Sequence, residues 1–305
     1  MLRLKYYWNV LPSRSEVHMV KTFWWDREPN FGDLLTEYLL PRYGIAPVLV
    51  SADDAELVSV GSVLNMVGEK YSGAVMGSGI MHENQEIFLD NAKIYAVRGN
   101  LSRKKIAPAH EIALGDPGIL MSKMLPLTQI ASTEKIGFIP HFSHQDKDYI
   151  KNLWKSIENQ AIYIDVKNSP EDVASKIKSC EVIFSTSLHG VILADSYGKP
   201  VVWTLPPEGL PGGDYKFRDY ESVVLDSAVS TRKVEIDELQ TADDIRRHAL
   251  SASPDLVNKS INDLESAIEK LKNSLVAVNY FNVFKAQFEG PVRSLFLSVE
   301  KLFKK

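Results

Sequence analysis

The residues best equipped for chemistry in this chain sit together in Ser185-Thr186-Ser187-Leu188-His189-Gly190. Three hydroxyls, an imidazole and a glycine follow Val182-Ile183-Phe184, a short apolar run that reads as a buried strand. Apolar spacing after Ser187 is helical, so the polar hinge falls where a strand becomes a helix. In an open parallel sheet that hinge lies at the carboxyl edge, where ligands bind. The free N–H groups and dipole at a helix N-terminus favour an anion, so a phosphorylated or carboxylated small molecule is the expected guest. The same residues would equally serve as an N-capping cluster beside a packed histidine.

Further polar hinges occur in the first half. Asn30-Phe31-Gly32-Asp33 precedes a helical pattern, with Asp33 suited to its N-cap or first helical position. Gly61-Ser62, Gly77-Ser78-Gly79 and Gly115-Asp116-Pro117-Gly118 each follow a strand-like run, and Pro117 suits the first turn of the next helix. Each is weak alone, because glycine also serves to turn a corner. Repeated along one sheet edge they mark a face where backbone approaches a ligand closely. His141 and His144 follow the first strand of the second half, with Asp146 and Asp148 reading as the start of a helix. No metal-ligand spacing stands out, and neither a metal nor a cofactor is expected.

Positioning these groups requires alternating strands and helices, the pattern of βα units. Strands are expected at Pro47–Val50, Leu57–Val60, Ala74–Met76, Ile94–Val97 and Glu111–Leu114, then at Lys135–Ile139, Ala161–Val166, Val182–Phe184 and Val201–Thr204. Helices are expected at Asp33–Tyr43, Gly99–Ile106, Gln145–Asn159, Pro170–Ser179 and Leu188–Tyr197. The polar segment Leu125–Glu134 reads as a linker, which divides the α/β chain into two Rossmann-like domains facing a cleft, 1–128 and 129–252, followed by C-terminal helices over 253–305.

Composition narrows the partners. With 45% hydrophobic and 24% charged residues the chain is an ordinary globular one, and its net charge of −4 gives no reason to expect nucleic acid. Cys180 is the single cysteine, which suits a reducing compartment and a buried structural thiol. The N-terminus does not read as a secretory signal, so a cytoplasmic location is expected. Val257, Ile261, Leu264, Ile268, Leu271 and Leu275 form one amphipathic stripe. A second, over 291–305, carries Arg293, Lys301, Lys304 and Lys305 around an apolar face and could lie on an anionic membrane surface.

The order Asn30-Phe31-Gly32-Asp33, Gly77-Ser78-Gly79, Val97-Arg98-Gly99-Asn100-Leu101-Ser102, Leu114-Gly115-Asp116-Pro117, Ser187-Leu188-His189-Gly190 and Tyr197-Gly198-Lys199-Pro200 resembles the polysaccharide pyruvyl transferase family from about Asn30 to Tyr220. That resemblance implies a GT-B-like fold and phosphoenolpyruvate as co-substrate. It also implies ketal formation on a hexose of a polysaccharide repeat unit, and a lipid-linked saccharide acceptor would suit the membrane contact that 291–305 could make. It further implies catalytic roles for His189, Arg98 and Lys216. Ser185, Ser187, Leu188, Gly190 and His141 would lie on the donor side, formed by the second domain. Asn30, Gly32, Asp33, Gly77, Ser78, Gly79 and Asp116 would lie on the acceptor side. Arg218 is the alternative to Lys216, since the Pro/Gly-rich loop Pro206–Gly213 obscures the match. Ser187 stands where many family members carry arginine, which removes one cation. A nucleotide-sugar glycosyltransferase or a saccharide-binding assembly protein without turnover would suit the same fold.

Overall fold

The computed structural model describes residues 17–207 and 209–278. The first sheet contains β1 (Val17–Phe23), β2 (Ile45–Leu49), β3 (Leu57–Val58), β4 (Ala74–Met76), β5 (Lys93–Val97) and β6 (Ala113–Leu114). These strands are parallel in the order β2-β1-β3-β4-β5-β6, and β11 (Ala277–Val278) lies antiparallel against the start of β1. The second sheet is parallel in the order β8-β7-β9-β10, formed by β7 (Ile136–Ile139), β8 (Ala161–Tyr163), β9 (Val182–Ser185) and β10 (Val201–Trp203).

Counted along the chain, each sheet therefore begins second-first-third-fourth. The order reverses between β1 and β3, and again between β7 and β9. Such reversals open a crevice at the carboxyl ends of the strands. The chain enters α1 (Phe31–Leu39) after β1, and α6 (Leu188–Ser196) after β9, so both helices start beside a reversal.

Local chemistry sets these starts. Asn30 is the N-cap of α1, its Oδ1 accepting from the Gly32 amide at 3.2 Å. This helix begins two residues before the Asp33 start expected from sequence and gives way to a 3-10 turn at Leu40. Asp33 is thus the third residue of the helix, neither its cap nor its first position, because Asn30 takes the cap. All nine residues of α6 are buried, so it is apolar on nearly every side and shows no stripe. β1, central to the first sheet, escaped the sequence reading because Lys21 and Thr22 interrupt its apolar run.

The remaining helices are α2 (Asn100–Ile106), α3 (Met121–Met124), α4 (Asp148–Ile157), α5 (Pro170–Ser179), α7 (Tyr215–Val224), α8 (Ala242–His248) and α9 (Pro254–Ser274). One apolar core runs from Val20, Leu35 and Met76 through Val191 and Ile192 to Ile139 and Trp203, joining the two sheets. Two smaller clusters cover the other faces, one around Val58, Val75 and Val97, the other around Phe138, Phe184 and Ile245. Val257, Ile261, Leu264, Ile268 and Leu271 of α9 are buried, and Ser260 Oγ donates to the Leu114 carbonyl at 2.8 Å beside β6. No helix among the described residues is long and apolar enough to cross a membrane. The stripe over 291–305 lies outside the described residues.

Candidate active site

The two reversal points meet. A Cβ on Gly32 would lie 2.0 Å from His189 Nδ1, so only glycine lets the first turn of α1 approach the imidazole this closely. Phe31 meets the same ring edge-on, with centroids 6.3 Å apart. His189 Nε2 lies 3.8 Å from Asp116 Oδ2, and neither atom has a hydrogen-bond partner among the described residues. Asp116 is fully buried and its other oxygen accepts from the Gly118 amide at 2.9 Å, capping the 3-10 turn that starts at Pro117. An imidazole and a carboxylate facing each other in a buried site form a proton-handling pair, and such contacts commonly tighten when substrate arrives.

Lys216 and Asp33 complete the cluster. Lys216, on the first turn of α7, is 8% exposed, and no carboxylate among the described residues lies within ion-pair distance of its Nζ. Burial, then the Arg98 charge, push its ammonium down to about 8. A buried cation without a partner carries an unpaid desolvation cost, which an anionic ligand relieves. Arg218, the alternative cation, is committed to Asp214 at 2.9 Å and Glu83 at 2.7 Å. Asp33 accepts from Asn30 Nδ2 at 2.9 Å, and although part of its surface stays accessible, burial raises its carboxyl to about 7. Burial likewise raises Asp116 to about 6 and, aided by the Lys216 and Arg98 charges, lowers His189 to about 3.

At neutral pH the site therefore holds an uncharged imidazole able to accept a proton and a carboxyl at Asp33 able to give one. Environments that push neighbouring groups apart in this way divide acid from base. His141, lowered to about 3 by burial and then by Lys216, is a second neutral imidazole near the cluster.

Arg98 lies behind the site. It is fully buried, its Nε donating to Asp219 Oδ2 at 3.0 Å, its Nη2 to the Ile80 carbonyl at 2.7 Å and its Nη1 to Ser62 Oγ. Its charge reaches His189, Lys216 and Asp116, while its hydrogen bonds go to the protein. Gly79 leaves the room it needs, since a Cβ there would sit 2.3 Å from the guanidinium carbon. Gly77 (φ +89°) does the same for Pro117, and the Ser78 hydroxyl donates to the Gly61 carbonyl at 2.9 Å. Ser185 Oγ donates to the Ser187 carbonyl at 2.9 Å and to the Ile139 carbonyl at 3.2 Å. A Cβ on Gly190 would meet that Ser185 oxygen at 2.4 Å. Ser187 and Leu188 are buried where α6 begins.

Three features were not drawn from the sequence. Thr186 Oγ1 accepts from the His141 amide at 2.8 Å and lies 2.9 Å from His144 Nδ1. Asp219 binds Arg98 and also accepts from Ser102 Oγ at 2.6 Å. Glu221, on the same helix, binds Arg232 Nε at 2.9 Å. Charged residues on α7 in the order Lys216, Asp219, Glu221 were the available signal, because a helix that buries three charges must find partners for them.

The loop between β10 and α7 also crosses the site region. His144 Nε2 lies 3.3 Å from the Gly209 carbonyl, Leu210 is buried, and a Cβ on Gly212 (φ +82°) would lie 2.0 Å from the Met81 carbonyl. Gly212→Ala is expected to lower stability by about 1–3 kcal/mol through strain and to displace the loop leading to Lys216. Thermal melting and proteolytic nicking within Pro206–Gly213 measure both effects, and unchanged nicking would contradict the tight contact.

The polysaccharide pyruvyl transferase family matches residues 19–205, more than half of the chain, and the chain belongs to that family. Among individual relatives it is similar to the succinoglycan biosynthesis protein ExoV of Rhizobium meliloti (strain 1021), with 30% identity over 213 residues, 66% of this chain and 64% of that protein. It is also similar to an uncharacterized protein of Acanthamoeba polyphaga mimivirus, with 28% identity over 210 residues, 65% of this chain and 71% of that protein. The match spans a little less than two thirds of the length of the Rhizobium relative.

Proposed function

We propose that this chain transfers pyruvate from phosphoenolpyruvate to two hydroxyls of a hexose in a polysaccharide repeat unit, forming a cyclic ketal and releasing phosphate. The observation that carries this reading is the buried Lys216 ammonium, without an ion-pair partner among the described residues, beside a neutral His189 and two carboxyls of raised affinity for protons. A doubly anionic donor compensates that ammonium and the Arg98 charge behind it. Family membership and likeness to a succinoglycan biosynthesis protein support the saccharide acceptor. The two sheets meeting at their reversal points support a GT-B-like arrangement with the donor on the second sheet's side.

In this mechanism Asp33 gives its proton to C3 of the donor, turning the methylene into a methyl group and leaving C2 electron-poor. A hexose hydroxyl attacks C2 as its proton passes to His189, whose charged form the Asp116 carboxylate stabilises. The C2–O bond to phosphate then breaks, and a second hydroxyl closes the ketal at C2. Of the two hydroxyl protons, one restores Asp33 and one leaves with phosphate. Arg98 acts through its field, because direct contact with the donor would require it to release Asp219.

Two measurements test this. Phosphoenolpyruvate should raise the melting temperature, and Lys216→Gln should remove that shift. Stabilisation by a nucleotide sugar alone would instead support glycosyl transfer. The pH profile of kcat/KM follows from the same groups. Activity is lost as pH falls through about 6, where Asp116 becomes protonated. It is lost again as pH rises, first near 7 when Asp33 discharges its proton, then near 8 when Lys216 loses its charge. A flat profile from pH 6 to 9 would count against these roles.

A further inference from the structure

Trp25 and Arg27 stand in the loop that carries the chain from the carboxyl end of β1 to the N-cap Asn30. Burial alternates along this run: Thr22 and Trp24 are buried, Trp24 at 2% exposure, while Phe23 and Trp25 are partly exposed. Phe23 packs against the cluster around Val58 and Val75. Among the described residues Trp25 belongs to none of the three apolar clusters, and the Arg27 guanidinium lies over its ring, 5.1 Å from the centroid. Among the described residues Arg27 has no ion-pair partner, although the chain is acidic overall.

A partly exposed indole outside the core leaves apolar surface uncovered, which a folded chain tolerates where that surface meets something else. Its position is specific. The loop rises at the β1/β3 reversal, the place where a doubly wound sheet binds its ligand, and it ends at the residue that fixes Gly32 against His189. Asn30 lies five positions on from Trp25, a reach of at most about 18 Å. The negative face of an indole attracts the weakly positive C–H edges of a pyranose ring, and a guanidinium stacked on that indole keeps its N–H edge for a carboxylate or phosphate.

We propose that Trp25 and Arg27 form a saccharide platform for the acceptor, on which a pyranose ring stacks on Trp25 while Arg27 pairs with an acidic substituent of the same saccharide. The proposal rests on the pyruvyl-transfer reading of the neighbouring site for its reaction, but not for its binding. It names residues that contact acceptor rather than donor, and an acceptor at least part of which carries negative charge.

The test is nuclear magnetic resonance of the five tryptophan indole N–H groups in the full chain, without donor. Trp25 is assigned by the signal lost in Trp25→Phe. Methyl β-D-glucopyranoside, methyl β-D-galactopyranoside and methyl β-D-glucuronide are the probes. The expected result is a shift of the Trp25 signal with at least one glycoside. Affinity should be about three- to tenfold weaker in Trp25→Ala and partly kept in Trp25→Phe, and Arg27→Ala should weaken the glucuronide alone. Equal binding by the parent and Trp25→Ala, or no Trp25 shift with any probe, overturns the platform. Sugar binding with no thermal shift from phosphoenolpyruvate would overturn the donor assignment and leave the platform standing.

Discussion

His189→Ala is expected to lower kcat for ketal formation by about 10²- to 10⁴-fold, while the thermal shift produced by phosphoenolpyruvate persists. The imidazole stands at the β7/β9 reversal, where its Nδ1 faces Gly32 of the β1/β3 reversal and its Nε2 faces Asp116 after β6. In the proposed mechanism donor binding rests instead on Lys216, so loss of His189 should separate chemistry from affinity. Gly32→Ala should show much of the same loss without removing any titratable group, because its Cβ would lie 2.0 Å from Nδ1 and force the ring aside. Phosphate release followed under saturating donor measures both. A His189→Ala enzyme within a few-fold of the parent would remove the proton-transfer role from this residue.

Asp195→Ala is expected to cost about 3–5 kcal/mol of stability. Asp195 holds Arg232 through two contacts, at 2.6 and 2.9 Å, and accepts from Tyr220 at 3.0 Å, with both charged side chains fully buried. Removing the carboxylate leaves Arg232 with Glu221 alone in a site closed to water, where an uncompensated charge is costly. Breaking the Lys123–Glu265 pair is the control. Those side chains are 42% and 31% exposed, and water screens them, so Lys123→Ala should cost under about 1 kcal/mol. Urea unfolding of both variants decides the matter, and comparable losses would contradict the weight given to burial.

Much of the site was legible because its residues announce themselves locally. Asn30, Gly32, Asp33, Asp116 and His189 sit at strand-to-helix hinges, and hinges show in sequence as glycine and small polar residues after an apolar run. The start of α5 at Pro170 was legible for the same reason, with Ser169 as cap and proline in the first turn. What a sequence conceals is partnership across long separations. Arg98 reads as a cation at a strand end, but its tie to Asp219, 121 residues away, depends on α7 packing against the start of α2. The fold had the same limit. The parallel alternation was readable, whereas β1 was hidden by its polar positions. The meeting of the two reversals at Gly32 and His189 follows only from tertiary packing.

That the same apolar core passes from Val20 and Leu35 through α6 to Ile139 and Trp203 bears on how the chain can be handled as well as on how it works. Neither half owns the interior it needs. Expressing either sheet alone would expose the surface of α6 or of α1 that the other sheet covers, and a heated sample should unfold in one cooperative calorimetric transition. Engineering a new acceptor preference by exchanging halves between relatives must therefore match this buried seam first. Loop exchanges around Trp25, which lie outside the seam, offer the more tolerant route.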